Sequence, residues 1–545
     1  MQFNNLRPWP QTQRNKAASR IPVLPGKSKF VESRVNLGMI TMLDPADIEP
    51  GALQLAQNAR CRFDRTQRRP GTTLMTPTKP NSNPVIGLFF FKKSDGNTYY
   101  FRFTRNSVHS RTATWDAYSA GVGGSLLGSD TDYIQAAVVL DRFVFSNNGV
   151  DVLQELDTTT AKYQALGNAP EYKYVTGFFN RVIGANLVGS VPNAAQIGWS
   201  GENDPDEWDP LVDETAGSTP LVESPGDLGD DISGVFGFTN VLAILREQSI
   251  WLATKQPIPT FPFNPYAAFP GVGCNAPYSA KITANGLTWA DRRSATIWHY
   301  TPGQAPEPIG RPVEKTLMDA IDDEELVFAS YDPIQNEYTV CIPQATGNVV
   351  VAWTYNFRTQ AWTKDLYEGI SIISDADLGT GVLPIDALPG TIESLTGDIN
   401  SLGPAEDVIP SRAFGRSDGE IILQDDDATT DPSFSSSTGT YDTVLLSKAF
   451  TLPTDDIYIA EIRIELIPIA GGTLTLEYSK DGGVTIATPS KSKLFTGDKI
   501  GKSQLFRWTK QIKTRRFAWR LSASSGQFEI IGYEVHVYKS GESTK

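Results

Sequence analysis

Val85-Ile86-Gly87-Leu88-Phe89-Phe90-Phe91, then Ser94-Asp95-Gly96-Asn97, then Thr98-Tyr99-Tyr100-Phe101-Arg102-Phe103 is the stretch on which the fold turns. Two short runs rich in aromatic and β-branched residues flank an Asp-Gly turn. Such runs suit a pleated, half-buried surface. Asp-Gly accepts the positive φ values that a tight hairpin needs. The unit therefore reads as a β-hairpin, and it recurs. Similar runs are expected at 136–146, 172–185, 196–199, 232–244, 249–252, 280–289, 296–300, 326–331, 337–342, 349–355 and 361–363. Further turn signals stand at Asn147-Asn148-Gly149, Asn285-Gly286 and Gly347-Asn348. Helical periodicity is confined to a short exception near 312–321. A Trp closes successive units (Trp199, Trp251, Trp298, Trp362). Many hairpins at regular spacing predict a degenerate β-propeller of six or seven blades, whose closure removes exposed sheet edges.

The flanks differ from this body. Residues 1–34 hold seven Lys and Arg against Glu32, a net +6, and Pro8, Pro10, Pro22 and Pro25 oppose any helix. Residues 1–40 are expected to form an extended basic arm that orders on an acidic neighbour. Within 373–440, the runs Ile385–Thr391, Ile392–Asp398 and Ile399–Leu402 form a repeat of period seven. Gly390, Gly397 and Pro389 argue against a coiled coil there and for a series of turns returning to the propeller. Alternating strands resume in 441–545, which read as a β-sandwich. The expected order is all-β throughout: arm 1–40, propeller 41–372, repeat-containing linker 373–440, sandwich 441–545.

Composition narrows the function. In 545 residues, 48 basic and 62 acidic side chains leave a net charge of −14, unsuited to general binding of nucleic-acid phosphates. Mean hydropathy is −0.25, and the apolar runs are too short to span a bilayer. The start lacks the apolar core of a secretory signal. Cys61, Cys274 and Cys341 are far apart, which fits neither a disulfide framework nor a zinc ribbon, and they read as reduced packing residues. Synthesis in a cytoplasm follows as an expectation.

Motifs with the form of chemical sites read better as structure. Gly415-Arg416-Ser417-Asp418-Gly419 matches a nucleophile elbow, but Asp418-Gly419 is a hairpin signal and 420–424 a returning strand. His109, His299 and His536 are scattered and lack metal-ligand spacing. The phosphate-loop-like 497–503 is one residue short and sits among strands. Asp425, Asp426, Asp427 and Asp431 hint at a calcium loop, yet Thr430 and Ser436 occupy its glycine and glutamate positions. Asp322, Asp323, Glu324 and Glu325 read as an exposed turn rather than a glycosidase pair. Ser479-Lys480-Asp481-Gly482-Gly483-Val484-Thr485 resembles the Asp-box hairpin of sialidases, in which the carboxylate caps its own turn. No catalytic, cofactor-binding or metal-ligating residue is assigned, and no cofactor is expected.

The segment from Gly51 through Asn58 and Asp64 to Arg68-Arg69-Pro70-Gly71 resembles the opening signature of the bacteriophage tail nozzle (tail tubular protein B) and tail hub-stabilisation proteins of short-tailed phages. Further matches follow in order: Tyr172–Ile183, Ile197–Trp208, Gly273–Pro277, Pro308–Gly310, Tyr355–Trp362, the 385–402 repeat, Arg515–Leu521 and Ile531–Val535. The resemblance covers about residues 40–540. It implies a non-enzymatic virion protein of the tail, a hexameric ring forming a conduit for ejection of double-stranded DNA. Its partners would be copies of itself, the adaptor and portal-proximal proteins, tail fibres and the passing DNA, with no membrane insertion. The alternative is a tail-associated polysaccharide-binding or depolymerising propeller, with Trp508 and Trp519 stacking on sugars.

Overall fold

A computed structural model describes residues 28–539 except 76–77, 112–113, 190, 223–229, 346–347, 375–411, 427, 434–435 and 452–456. The 385–402 repeat and most of the basic arm lie outside the described residues. The regular elements described are almost all strands, with one short α-helix, Glu314–Met318, inside the expected helical exception.

The strands between 87 and 425, together with Gly71–Leu74, fall into seven four-stranded units. Blades 1 to 6 occupy 87–120, 134–165, 172–220, 232–270, 281–308 and 328–368, each built from consecutive antiparallel strands. Blade 7 takes Ile370–Ser374, Ala413–Arg416 and Ile421–Asp425, and borrows its fourth strand, Gly71–Leu74, from far upstream (Ile422 opposite Leu74, Asp425 opposite Gly71). That borrowed strand closes the ring, adding a strand pairing to the hydrogen bonds that join the first and last blades, such as the Val85 amide to the Arg416 carbonyl at 3.2 Å. Blades 1 and 2 are also joined at their outer edges by a parallel pairing of Ser119 with Lys162 and Ala120 with Tyr163. Apolar clusters bridge neighbouring blades all the way round, for example Leu245 and Ile250 of blade 4 with Leu287 and Trp289 of blade 5.

Several expected single strands are hairpins. Run 136–146 divides at Leu140-Asp141 and run 172–185 at Phe179-Asn180, each pair with both φ values positive. The long apolar character hid these turns, since Leu and Phe seldom adopt positive φ. Trp199, Trp251 and Trp298 lie on the third strands of blades 3, 4 and 5; in blade 6 Trp353 holds that place and Trp362 is on the fourth strand.

The expected propeller boundary at residue 41 is corrected by the topology. Ser28–Glu32 pairs with Gln527–Lys539, Leu53–Gln57 with Thr443–Ser447, and Arg65–Arg68 with the start of Gln527–Lys539. Residues 28–68 thus belong to the C-terminal sandwich, and Val35 and Leu53 are fully buried. The physical reason is that alternation reveals a strand but not its partner, and these partners are more than 380 residues away. One sandwich sheet runs on into blade 6 through a parallel contact of Gln57 with Lys364. Propeller and sandwich therefore share a backbone hydrogen-bonded layer.

Candidate functional site: the Arg68–Gly71 junction and the propeller axis

The chain leaves the sandwich and enters blade 7 at Arg68-Arg69-Pro70-Gly71. Arg69 is fully buried. Its guanidinium pairs with Asp431, donates to Asn58 Oδ1 at 3.2 Å, and lies over the rings of Tyr441 and Tyr367 at 3.9 and 4.4 Å. Arg68 covers the Tyr441 ring at 4.0 Å and donates to the Tyr441 carbonyl at 2.8 Å, while Tyr441 Oη donates to the Arg69 carbonyl at 2.6 Å. Pro70 has no amide hydrogen to satisfy. Gly71 is required sterically: a Cβ there would sit 2.5 Å from the Thr430 carbonyl oxygen.

A second buried charge group adjoins the first. Arg60 Nη1 meets Asp365 Oδ2 at 2.6 Å and Arg60 Nε meets Glu337 Oε2 at 3.3 Å. Burial raises the Asp365 carboxyl above its ordinary range despite Arg60 and Arg69. At Glu337 burial acts the same way, but Arg62, Arg60 and Arg412 together outweigh it and hold the group low. Charges removed from water are tolerated only when paired in this manner. The arrangement locks sandwich, blade 6 and blade 7 together; it offers no nucleophile or free base.

At the propeller axis, Tyr133 packs on Tyr278 and Phe328, ring centroids 5.0 and 5.9 Å apart. Tyr133 precedes blade 2 and Phe328 belongs to blade 6, so their contact fills the centre of the ring. Beside it lies a polar cavity of about 180 Å³ lined by Asp132, Lys173, Tyr278, Asp323 and Glu325, among others. Asp323 and Glu325, read as exposed turn residues, are exposed and line this cavity. Asp323 Oδ1 accepts from the Glu325 amide at 3.0 Å.

The other singled-out residues fall apart in space. Ser417 sits in the hairpin turn between Ala413–Arg416 and Ile421–Asp425, with Gly419 at positive φ. Asp431 serves Arg69 and Thr72, and Asp427 lies outside the described residues. Residues 497–503 connect two sandwich strands. Asp481 accepts from the Thr485 amide at 2.9 Å and from Thr485 Oγ1 at 2.6 Å, and the Ser479 and Thr485 hydrogen bonds hold its carboxyl far below the usual range. Trp508 and Trp519 are in the core, 7% and 0% exposed, so neither presents a face to a sugar. The three cysteines are buried and unpaired. Among the described residues no group of three or more His, Cys, Asp or Glu could hold a metal ion, and no helix is long and apolar enough to cross a membrane.

His109 on blade 1, His299 on blade 5 and His536 in the sandwich do not converge. Burial pushes the His109 and His299 imidazoles down to about 4. The unfolded chain holds them near 6.5 (about the free value), so the fold favours the neutral rings. Their contribution is complete above about pH 6.5 and is lost as pH falls toward 4. His299 is held by Thr288 Oγ1 at 2.9 Å and Thr301 Oγ1 at 3.3 Å. His299→Gln is expected to flatten the fall in unfolding free energy between pH 6.5 and 4; parallel curves for the two proteins would refute this assignment.

No family model and no curated protein matches the chain. Solved structures similar to it include the Pan2 WD40 domain of Neurospora crassa (8% identity, 66% of this chain and 95% of that one, TM-score 0.35). Others are an exo-β-1,3-galactanase from Phanerochaete chrysosporium (9%, 86% and 100%, TM-score 0.25) and the extracellular domain of a hybrid two-component system from B. thetaiotaomicron (9%, 82% and 56%, TM-score 0.36). Likenesses this distant carry no functional argument, and the propeller assignment stands on the strand order described above.

Proposed function

We propose that this chain is a structural, non-enzymatic component of a bacteriophage tail, a nozzle or hub protein whose copies form a ring-shaped conduit for double-stranded DNA. The observation that carries the reading is the use made of Arg68-Arg69-Pro70-Gly71. The motif by which the sequence resembles the tail proteins is the buried fastening between sandwich and propeller, as a rigid wall element requires. The aromatic filling at the axis supports a channel running between copies rather than through one propeller. A net charge of −14 keeps DNA phosphates from adhering to such a wall.

Cryo-electron microscopy of the virion carrying this chain tests the proposal. The expected result is a symmetric ring of copies around an open channel at the end of the tail. A peripheral position, with a cleft turned outward and no ring, would overturn it. The basic arm is the proposed tether to the adaptor. Because Ser28–Glu32 is a paired strand, an arm truncation belongs after residue 27, not at residue 34.

A further inference from the structure

Segment 480–520 contains eleven Lys and Arg against two acids, a net +9 in a chain of −14, so the remainder carries −23. The fold places five of these cations, Lys491, Lys493, Lys499, Lys502 and Arg507, along one border. Arg516 and Arg520 instead sit on an internal strand, Arg516–Ala523, and pair with Asp44 and Glu477. Ala487–Phe495 and Gln504–Thr514 are the terminal strands of the two sandwich sheets. They lie close together, since Lys491 and Lys493 reach across to the carbonyls of Arg507 and Leu505 at 2.7 and 3.2 Å. The connecting loop adds exposed Lys499 and Lys502. Burial and the neighbouring Lys499 and Lys491 lower the Lys493 ammonium, a sign of crowded positive charge. Edge lysines blunt sheet aggregation, which accounts for Lys491 and Lys493 but not for the cations of the loop. Among them Leu494 is 57% exposed, and Ile500 and Leu505 are also exposed. Cations mixed with aliphatic side chains fit a protein surface better than bare phosphates.

A counterpart exists on the same chain. Loop 201–214, between the third and fourth strands of blade 3, contains seven carboxylates and no Lys or Arg. Asp206 is paired with Arg142 and Glu202 with Arg181; Asp204 and Glu214 are exposed, and Glu207, Asp209 and Asp213 are half-buried. Its tip, Leu211-Val212, is 93% and 73% exposed. Asp209 and Asp213 accept from the amides of Leu211 and Thr215, both at 2.8 Å, which holds the tip in a fixed shape. Blade 3 is three places from blade 6 one way round and three from blade 7 the other way, so it lies across the propeller from the sandwich.

We infer that these poles dock head to tail, the acidic loop 201–214 of one copy seating on the basic border 487–507 of the next. Two different surfaces meeting in this way give a heterologous contact, which closes into a ring when the rotation allows. The inference rests on the ring reading and names its interface.

Since the native cysteines are buried, introduced thiols report the contact. Full-length Leu211→Cys and Leu494→Cys chains are mixed under mild oxidation, both as concentrated protein and in particles assembled with the two variants. A disulfide-linked dimer is expected in the mixture and in neither variant alone; a chain carrying both changes should give a ladder. Glu214→Lys should cut the linked yield at least tenfold. Linking of either single variant with itself, or oligomers seen by sedimentation without linking of the mixture, would overturn the docking while leaving the ring reading intact. Monomers in solution together with no ring in the virion would overturn both. Binding of a duplex DNA oligonucleotide that is lost in Lys499→Glu/Lys502→Glu, with no linking, would reassign the border as a polyanion site.

Discussion

Replacing Arg69 by Met is expected to lower the stability of the protein by about 3–5 kcal/mol, the loss typical of breaking a buried ion pair. Met nearly matches the length of Arg but leaves Asp431 without its buried cation and with only the Thr72 hydroxyl, Asn58 Oδ1 with only the Leu366 amide, and the Tyr441 and Tyr367 rings without the cation above them. Most of the loss comes from the carboxylate left behind. The double variant Arg69→Met/Asp431→Asn should therefore recover part of it, with a coupling of about 1–3 kcal/mol. Arg69→Lys should fall between, because an ammonium keeps the charge but not the planar fork. The measurement is the shift in denaturation midpoint at unchanged slope. A shift for Arg69→Met corresponding to less than about 1 kcal/mol would mean that the junction is not held by this pair.

Trp519→Ala should cost a similar amount, about 3–5 kcal/mol for deleting a fully buried indole. Trp519 lies on Arg516–Ala523 in one sandwich sheet and meets Tyr533 of the other edge-on, ring centroids 5.1 Å apart. The variant opens a cavity between the sheets. A second effect follows from the architecture. The sheet containing Trp519 continues through Thr443–Ser447 and Leu53–Gln57 into blade 6, and the chain then passes Arg69 into blade 7. Loss of the sandwich would free the strand that closes the propeller. Unfolding of Trp519→Ala is thus expected to remain one transition, with near- and far-ultraviolet circular dichroism coincident. Two separated transitions would show that the shared layer does not couple the parts.

The hairpin at 87–104 was legible because aromatic and β-branched runs around Asp-Gly admit little else, and the same holds for the Asp481 turn. The turns at Leu140-Asp141 and Phe179-Asn180 were not legible: Leu140 and Phe179 are poor turn formers, held at positive φ by the pairing on either side, and a lone Asp or Asn after them is a weak signal. The junction was half visible. Arg68-Arg69-Pro70-Gly71 stood out in the sequence, whereas Asp431 and Tyr441, embedded in a Ser- and Thr-rich stretch, carried nothing to mark them as its partners. Asp431 read as part of a solvated acidic loop. Trp508 and Trp519, read from the sequence as core aromatics with sugar stacking only as the alternative, are in the core.

By itself the sequence determined the class of element everywhere that local chemistry decides it: strands and tight turns, scarcely any helix, a charge of −14 with a basic concentration near the C-terminus. The tertiary structure alone decided which strands pair. That choice joined 28–68 to a sandwich more than 380 residues away, lent Gly71–Leu74 to blade 7 and made the blades seven. The reason is physical. Turn propensity and side-chain alternation act over a few residues, so they are written in any short stretch. Strand partnership depends on burying surfaces from remote parts of the chain together, and no local pattern encodes which surface will be met.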